Sequence, residues 1–369
     1  MNLPYKDIVE VLLLNHGISL SLRHLKRILR NMHLSRRKEY TDLRTVINFV
    51  ESDVESNGSH GYRWMYNKCV LHGLKVTRES ITHILKLVDP RGVEMRSKHR
   101  LIRRKYFSQG PNYCWHIDSY DKLKPYGLCI NGCVDGFSRK MMWVKVGKTS
   151  SDPKVIAIYF IEAIQNAGGY PYHMRGDMGT ENGTVAAMQN FLSRNERNED
   201  SFIYGKSTLN TRIESWWAIL RKQCTGKWIK EMKDLRDTGN FTGNKLDANL
   251  VQFCCMKLLQ AELDETALVW DMHRIRRSRS NLPDDRPIAL KVYLLPELWA
   301  SADYVQSISD DELEICKSEC AHDDLFPCEE ELFELGCLYM RANQVNPPTN
   351  INECKALYLG LRQWLLSHL

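Results

Sequence analysis

A chain of 369 residues, 43% hydrophobic and 26% charged, holds enough apolar material for two or three ordinary folded cores. No run approaches the ~18 apolar residues of a membrane span, so no membrane association is expected, and the opening segment, with Lys6, Asp7 and Glu10 around Val9–Leu14, lacks the basic start and cleavage site of a signal peptide. The net charge of +6 conceals an asymmetry: residues 1–110 carry 21 Lys and Arg against 10 Asp and Glu, whereas residues 301–369 carry 4 against 13, so a polyanionic partner is expected for the first part only.

In chain order, Ile8, Val9, Leu12 and Leu13 predict a helix from Tyr5 that stops at Asn15-His16-Gly17, with Gly17 as a left-handed cap. Ser19 or Ser21 caps a second helix, striped by Leu22, Leu25, Ile28 and Leu29 and basic on its other face through Arg23, Lys26, Arg27 and Arg30. Two helices around a glycine turn, the second basic, predict a helix-turn-helix; the plainer alternative is a solvated helical hairpin. A second pair is expected over Gly61–Leu71, with Tyr62, Met65, Tyr66 and Cys69 on one side, and from a Thr77 cap to Asp89-Pro90. The run from Arg91 to Lys105, with Arg100, Arg103 and Arg104, reads as a linker that tracks phosphates.

From about residue 111 the pattern changes. Tyr113–Asp118, Leu128–Val134 and Met141–Val146 read as three strands of an antiparallel meander, separated by Lys124–Gly127 and Asp135-Gly136 turns. Pro153 opens a helix that ends at Gly168-Gly169; Tyr172–Arg175 and Phe202–Tyr204 are further short strands, each followed by a helix. That order predicts a mixed α/β layer. Beyond residue 226 the pattern is mostly helical, with periodic stretches at Leu250–Leu263 and Leu332–Arg341, a basic loop at Arg274–Arg279, and Tyr358, Leu361, Trp364 and Leu365 as core. The 12 cysteines form no regular framework. Cys316, Cys320, His322 and Cys328 lack a CxxC pair and read as free thiols rather than a zinc site.

Three acids stand at informative places: Asp118 inside the first strand, Asp177 after the fourth, and Glu214 about two turns into a helix that Ser207 or Thr208 can cap. Phosphodiester transfer needs an activated water or 3′-hydroxyl and a stabilised leaving oxygen, and two Mg²⁺ ions held by a few carboxylates supply both. Spacing alone leaves open that these are three unrelated surface acids.

The surrounding motifs decide between the two. Pro111-Asn112-Tyr113-Cys114-Trp115-His116-Ile117-Asp118, Val134-Asp135-Gly136-Phe137-Ser138-Arg139, Gly176-Asp177-Met178-Gly179-Thr180-Glu181-Asn182 and Arg212-Ile213-Glu214-Ser215-Trp216 stand in the order and near the spacings of a known family. Residues 111–225 resemble the catalytic core of the DDE integrase and transposase superfamily, including retroviral integrases, insertion-sequence transposases and eukaryotic integrase-core proteins. The segment from His60-Gly61-Tyr62-Arg63 through Gly73–Val76 resembles, more weakly, the helix-turn-helix preceding such cores. The resemblance implies a ribonuclease-H-like α/β core with a mixed five-stranded sheet, helix-turn-helix segments before it and a mostly helical tail after it. It implies Asp118, Asp177 and Glu214 as catalytic, metal-holding residues for two Mg²⁺ or Mn²⁺ ions, with Asp135 structural. DNA is the implied partner, contacted also by Arg221 and Lys222, and the active form is expected to be a homo-oligomer.

This sequence departs from the family at Met178, where Asn is frequent, at the extra acid Glu181, and at Ala218, where relatives carry a basic residue; the retroviral amino-terminal zinc module is absent. The expected division is 1–57 and 58–105 as helix-turn-helix-like segments, the second with the basic linker, 106–230 as catalytic core and 231–369 as a helical region without an assigned role. The expected activity is metal-dependent strand transfer in DNA integration or transposition, in the nucleus of a eukaryote or otherwise the cytoplasm. Its rivals are a domesticated, non-catalytic DNA-binding protein of the same fold, a structure-specific nuclease, and a protein–protein adaptor using the acidic tail.

Overall fold

In the computed structural model the chain is described at residues 4–32, 34, 40–57, 60–97, 106–195, 201–205, 210–275, 288–320 and 326–368. Helices α1 (Tyr5–His16), α2 (Leu22–Asn31), α3 (Leu43–Asn57), α4 (Tyr62–Leu71), α5 (Arg78–Val88) and α6 (Pro90–Ser97) come first. Strands β1 (Cys114–Tyr120), β2 (Cys129–Asp135) and β3 (Met141–Gly147) follow, then α7 (Pro153–Ala167), β4 (His173–Gly176), α8 (Gly183–Ser193), β5 (Phe202–Tyr204) and α9 (Thr211–Leu220). The rest is helical: α10 (Gly226–Asp237), α11 (Lys245–Asp271), α12 (Ala289–Leu294), α13 (Asp310–Ser318), α14 (Glu330–Ala342) and α15 (Ile351–His368). Among the described residues no helix is long and apolar enough to cross a membrane.

Contacts divide the chain into two units: one of residues 1–113, 136–140 and 268–304, the other of residues 114–135, 141–267 and 305–369. In the first, Gly17 caps α1 at φ 63°, and the Ser21 side chain caps α2 by accepting the His24 N–H. Leu25 is buried while Arg23, Lys26, Arg27 and Arg30 are exposed, so α2 is basic outward. Thr77 caps α5 as expected.

The expected second pair proves to be three helices, because α3 completes its core: Val46 and Val50 pack with Met65, Cys69, Ile81, Ile84 and Leu85. The signal was present in the spacing of Val46, Val50 and Val54 and in Asp42, whose carboxylate accepts the N–H of Arg44 and Thr45 at the helix start. On α4 the expected Met65 and Cys69 are buried and Trp64 joins them, while Tyr62 is exposed. Part of the presumed linker is helix as well: α6 follows directly on Asp89, which accepts the Gly92 N–H and pairs with Arg96 at 2.9 Å. The local carboxylate thus recruits a chain segment that its charge run alone marked as extended. Arg100, Arg103 and Arg104 lie outside the described residues.

The second unit carries a five-stranded sheet in the order β3-β2-β1-β4-β5. β1 is antiparallel to β2 and parallel to β4, and β4 is parallel to β5. This mixed sheet with helices is the ribonuclease-H-like arrangement expected from the sequence. Alternation along β1 sorts its side chains. Trp115 and Ile117 enter a core with Ile156, Phe160 and Ile164 of α7 and with Val185 and Leu192 of α8. His116, Asp118 and Tyr120 face the other way, toward Asn210, Trp217 and Thr225. The outer strand β3 is covered: Gln260 of α11 accepts the Val146 N–H and donates to the Val144 carbonyl, pairing backbone groups that an edge otherwise leaves open.

The acidic tail packs onto the same unit. Arg362 of α15 reaches buried Asp247 at 2.7 Å, Tyr358 donates to the Asn240 carbonyl, and Lys355 pairs with Glu231. Trp364, expected in the core, is half-buried and sets its ring against Tyr339 and His368.

In the first unit, Asp53 of α3 binds His60 and, at 2.7 Å, Lys68 of α4, and it is buried. Burial pulls its carboxyl upward, but the hydrogen bonds and charges of His60 and Lys68 outweigh this and hold it at about 2. The stability it contributes is therefore complete above the ordinary value of 3.8 and is lost as pH falls through about 2. Asp53→Ala leaves two cationic or polar partners stranded in this core and is expected to cost about 3 kcal/mol at pH 7. Denaturant unfolding followed by circular dichroism checks this, and the cost should shrink in acid.

Candidate active site

Asp118 sits on the face of β1 that meets α9, directly opposite Gly132 of β2. Its Oδ2 accepts a hydrogen bond from the indole Nε1 of Trp217 at 2.8 Å. Trp217 lies three residues beyond Glu214 on α9, a spacing that brings both to one side of the helix. Asp177 follows β4, and its Oδ1 accepts from the Gly179 N–H at 3.2 Å and from the Asn182 amide at 3.1 Å. A strand, a strand end and a helix thus supply one acid each.

The start of α9 is set by Asn210. Its amide donates to the Ile117 carbonyl at 2.8 Å, and its Oδ1 pairs with the His116 ring at 2.6 Å, so the helix entrance is tied to the strand that carries Asp118. Burial drives the His116 pKa down to about 3 despite the Asn210 bond, so the ring stays neutral and donates through Nδ1. Glu214 consequently falls in the first turn of α9, with its N–H bonded to the Asn210 carbonyl, rather than two turns in. The presumed caps Ser207 and Thr208 lie outside the described residues. An acid in the first turn is favoured by the helix dipole.

Electrostatics connects the three acids. Asp118 is pushed up to about 7, first by burial and then by the negative charges of Glu214 and Asp177, against the lowering effect of the Trp217 hydrogen bond. Among the described residues no three Asp, Glu, His or Cys groups already form a metal-holding cluster, so the acids act on one another by charge rather than by contact. The donor set nevertheless suits a hard divalent cation: three oxygen acids, one of them disfavoured as an anion until a positive charge arrives.

Neighbouring residues sort themselves around this set. Glu181 folds its carboxylate over Gly179, where a Cβ would meet Oε1 and Oε2 at 2.3 Å. Asp135 is fully buried at the end of β2, opposite Trp115 rather than Asp118. Met178 is 81% exposed beside Asp177. Arg221 and Lys222 are exposed at the start of a π-helical turn, Arg221–Thr225, that follows α9. That wider turn was not foreseen; its mark in the sequence is Gly226, where a Cβ would meet the Arg221 carbonyl at 2.6 Å. Of the cysteine set, Cys316 and Cys328 are buried thiols pushed up to about 11 by burial, Cys320 is half-buried, and His322 lies outside the described residues.

A family model described as integrase core domain matches residues 105–289. The chain belongs to the integrase core domain family. The match begins before β1 and runs on through α11 to the start of α12, well past the segment 111–225 whose motifs carried the resemblance. No curated protein matches the chain. Within the integrase core, sequence reasoning missed Trp217 and Asn182, which bond Asp118 and Asp177, and Asn210, which bonds His116 and the Ile117 carbonyl of β1. The three-residue step from Glu214 to Trp217 marks a shared side of a helix but not the partner it meets, and the Asn210 side chain bonds β1 rather than capping α9, so neither contact was legible locally.

The raised Asp118 carboxyl has a stability consequence. A carboxyl above its ordinary 3.8 contributes most to the fold when protonated, and that contribution is lost as pH rises through about 7. Asp118→Asn, which mimics the neutral acid, is therefore expected to melt higher than wild type at pH 8 without divalent ions and equally below pH 4. Differential scanning calorimetry across that range reads it out; a variant that melts lower at pH 8 contradicts the coupling.

Proposed function

We propose that this integrase-core protein is a DDE polynucleotidyl transferase that cuts and joins DNA strands in integration or transposition. What supports the reading is the integrase core match over residues 105–289 together with the placement of Asp118 on β1, Asp177 after β4 and Glu214 on α9, acids that lie far apart in sequence. Asp118 would hold two Mg²⁺ or Mn²⁺ ions jointly, and Asp177 and Glu214 would hold one each. When bound, the ions activate a water or 3′-hydroxyl and stabilise charge on the leaving oxygen. The protein contributes orientation: Asn182 and the Gly179 N–H fix the Asp177 carboxylate, and Asn210 fixes the helix that bears Glu214.

DNA is the proposed partner, and a homo-oligomer the proposed active form. Within the catalytic unit, exposed Arg221 and Lys222 follow directly on α9 and suit phosphate contacts. In the amino-terminal unit the outward face of α2 offers Arg23, Lys26, Arg27 and Arg30. Arg100, Arg103 and Arg104 belong to a separate basic run of sequence, Arg91 to Lys105.

Metal-dependent assays on oligonucleotides test the chemistry. Asp118→Asn and Glu214→Gln are expected to lower strand transfer at least ~100-fold with the fold retained, whereas Glu181→Gln changes it little. Cleavage without joining would make the protein a nuclease instead; salt-sensitive DNA binding without any metal-dependent chemistry would make it a non-catalytic binder.

Binding itself has an expected signature. Replacing Arg23, Lys26, Arg27 and Arg30 together by Ala should reduce the slope of log affinity against log salt by roughly 3 to 4, about 0.9 per lost phosphate contact. Fluorescence anisotropy with duplex DNA at several salt concentrations measures it, and an unchanged slope excludes α2 from the interface.

A further inference from the structure

We propose that Trp217 is a positioning residue for the candidate active site: its indole N–H holds one oxygen of Asp118 so that the other is presented to the cation, and Gly132 provides the space in which the indole does this. The inference rests on the two-metal reading above and adds to it a residue that does not itself bind metal.

Geometry carries the argument. The 2.8 Å bond from Trp217 Nε1 to Asp118 Oδ2 joins α9 to β1 at the level of the acids. An indole N–H is a donor only, so it engages the carboxylate without competing for a cation. Together with the Ser119 backbone N–H, which also bonds this carboxylate, it removes free rotation from the Asp118 side chain.

The indole is itself fixed from two sides. Tyr120, two residues along β1 on the same face, sets its ring 5.2 Å from that of Trp217, and its hydroxyl accepts a hydrogen bond from Thr225 at 3.2 Å. Below lies Gly132, the cross-strand partner of Asp118, where a Cβ would stand 2.8 Å from Trp217 Cη2. Any side chain at 132 would displace the rigid indole, and with it the donor. A glycine inside a fully buried strand weakens that strand, and here the indole is what occupies the space it leaves.

A purely structural role would explain the same bond as the satisfaction of a buried indole, Trp217 being 6% exposed. The two explanations part in what a substitution changes. Trp217→Phe keeps the aromatic packing and removes only the donor; Gly132→Ala keeps the donor and moves it.

The experiment measures Mn²⁺ binding by electron paramagnetic resonance on the full-length protein, with steady-state strand transfer and thermal melting alongside. Each variant is expected to bind Mn²⁺ about tenfold more weakly than wild type and to lose kcat with KM for the oligonucleotide unchanged. The double variant should resemble either single one, because both remove the same bond. Unchanged Mn²⁺ affinity and kcat in Trp217→Phe overturn the inference while leaving the two-metal reading intact, as does an effect confined to melting temperature. Wild-type protein that binds no Mn²⁺ overturns that reading and the inference with it.

Discussion

Asp118 on β1 feels the negative charges of Glu214 and Asp177, so strand and helix must be held together by something other than attraction between these acids. In this integrase core, that task falls to bonds between β1 and α9. Asn210 ties the entrance of α9 to the Ile117 carbonyl and the His116 ring, and one turn beyond Glu214 the Trp217 indole ties the helix to Asp118 itself. The Asn210 bonds are buried and the Trp217 bond is partly so; an unmade hydrogen bond there costs more than in water, so the helix cannot drift from the strand without stranding polar groups. Burial first, and then the charges of Glu214 and Asp177, push the Asp118 carboxyl up.

The sheet supports this arrangement by dividing labour between its faces. Odd positions of β1 are committed to the apolar core under α7 and α8, which fixes the strand in place. Even positions are left for His116, Asp118 and Tyr120, each with a partner from the segment that contains α9 and the π turn. Two glycines make close approach possible: Gly132 under the indole and Gly179 under the Glu181 carboxylate. Neither adopts a positive φ, so space rather than backbone conformation is what requires glycine there.

Much of this fold was legible from local pattern. The five strands fall within a residue or two of their predicted places, and the caps at Ser21, Thr77 and Gly17, and the helix start at Pro153, are where local stereochemistry puts them. The misses share a cause. Helix α3 reads weakly because only its valines mark the inward face, and α6 was concealed by a run of charge that one aspartate folds back on itself. Glu214 was placed too deep in its helix because the start of α9 is chosen by Asn210, whose partners are 93 and 94 residues away.

By itself the sequence determined the kinds of elements and their order, because periodicity and turn chemistry are local properties, and its motifs, through the family resemblance, singled out Asp118, Asp177 and Glu214. Tertiary structure alone decided which side chains meet those acids. Trp217 becomes the partner of Asp118 only when α9 crosses β1, and Gly132 matters only because antiparallel register sets it opposite Asp118. Such pairings arise from contacts between residues about 100 positions apart in one case and 14 in the other, and no local rule of residue spacing encodes them.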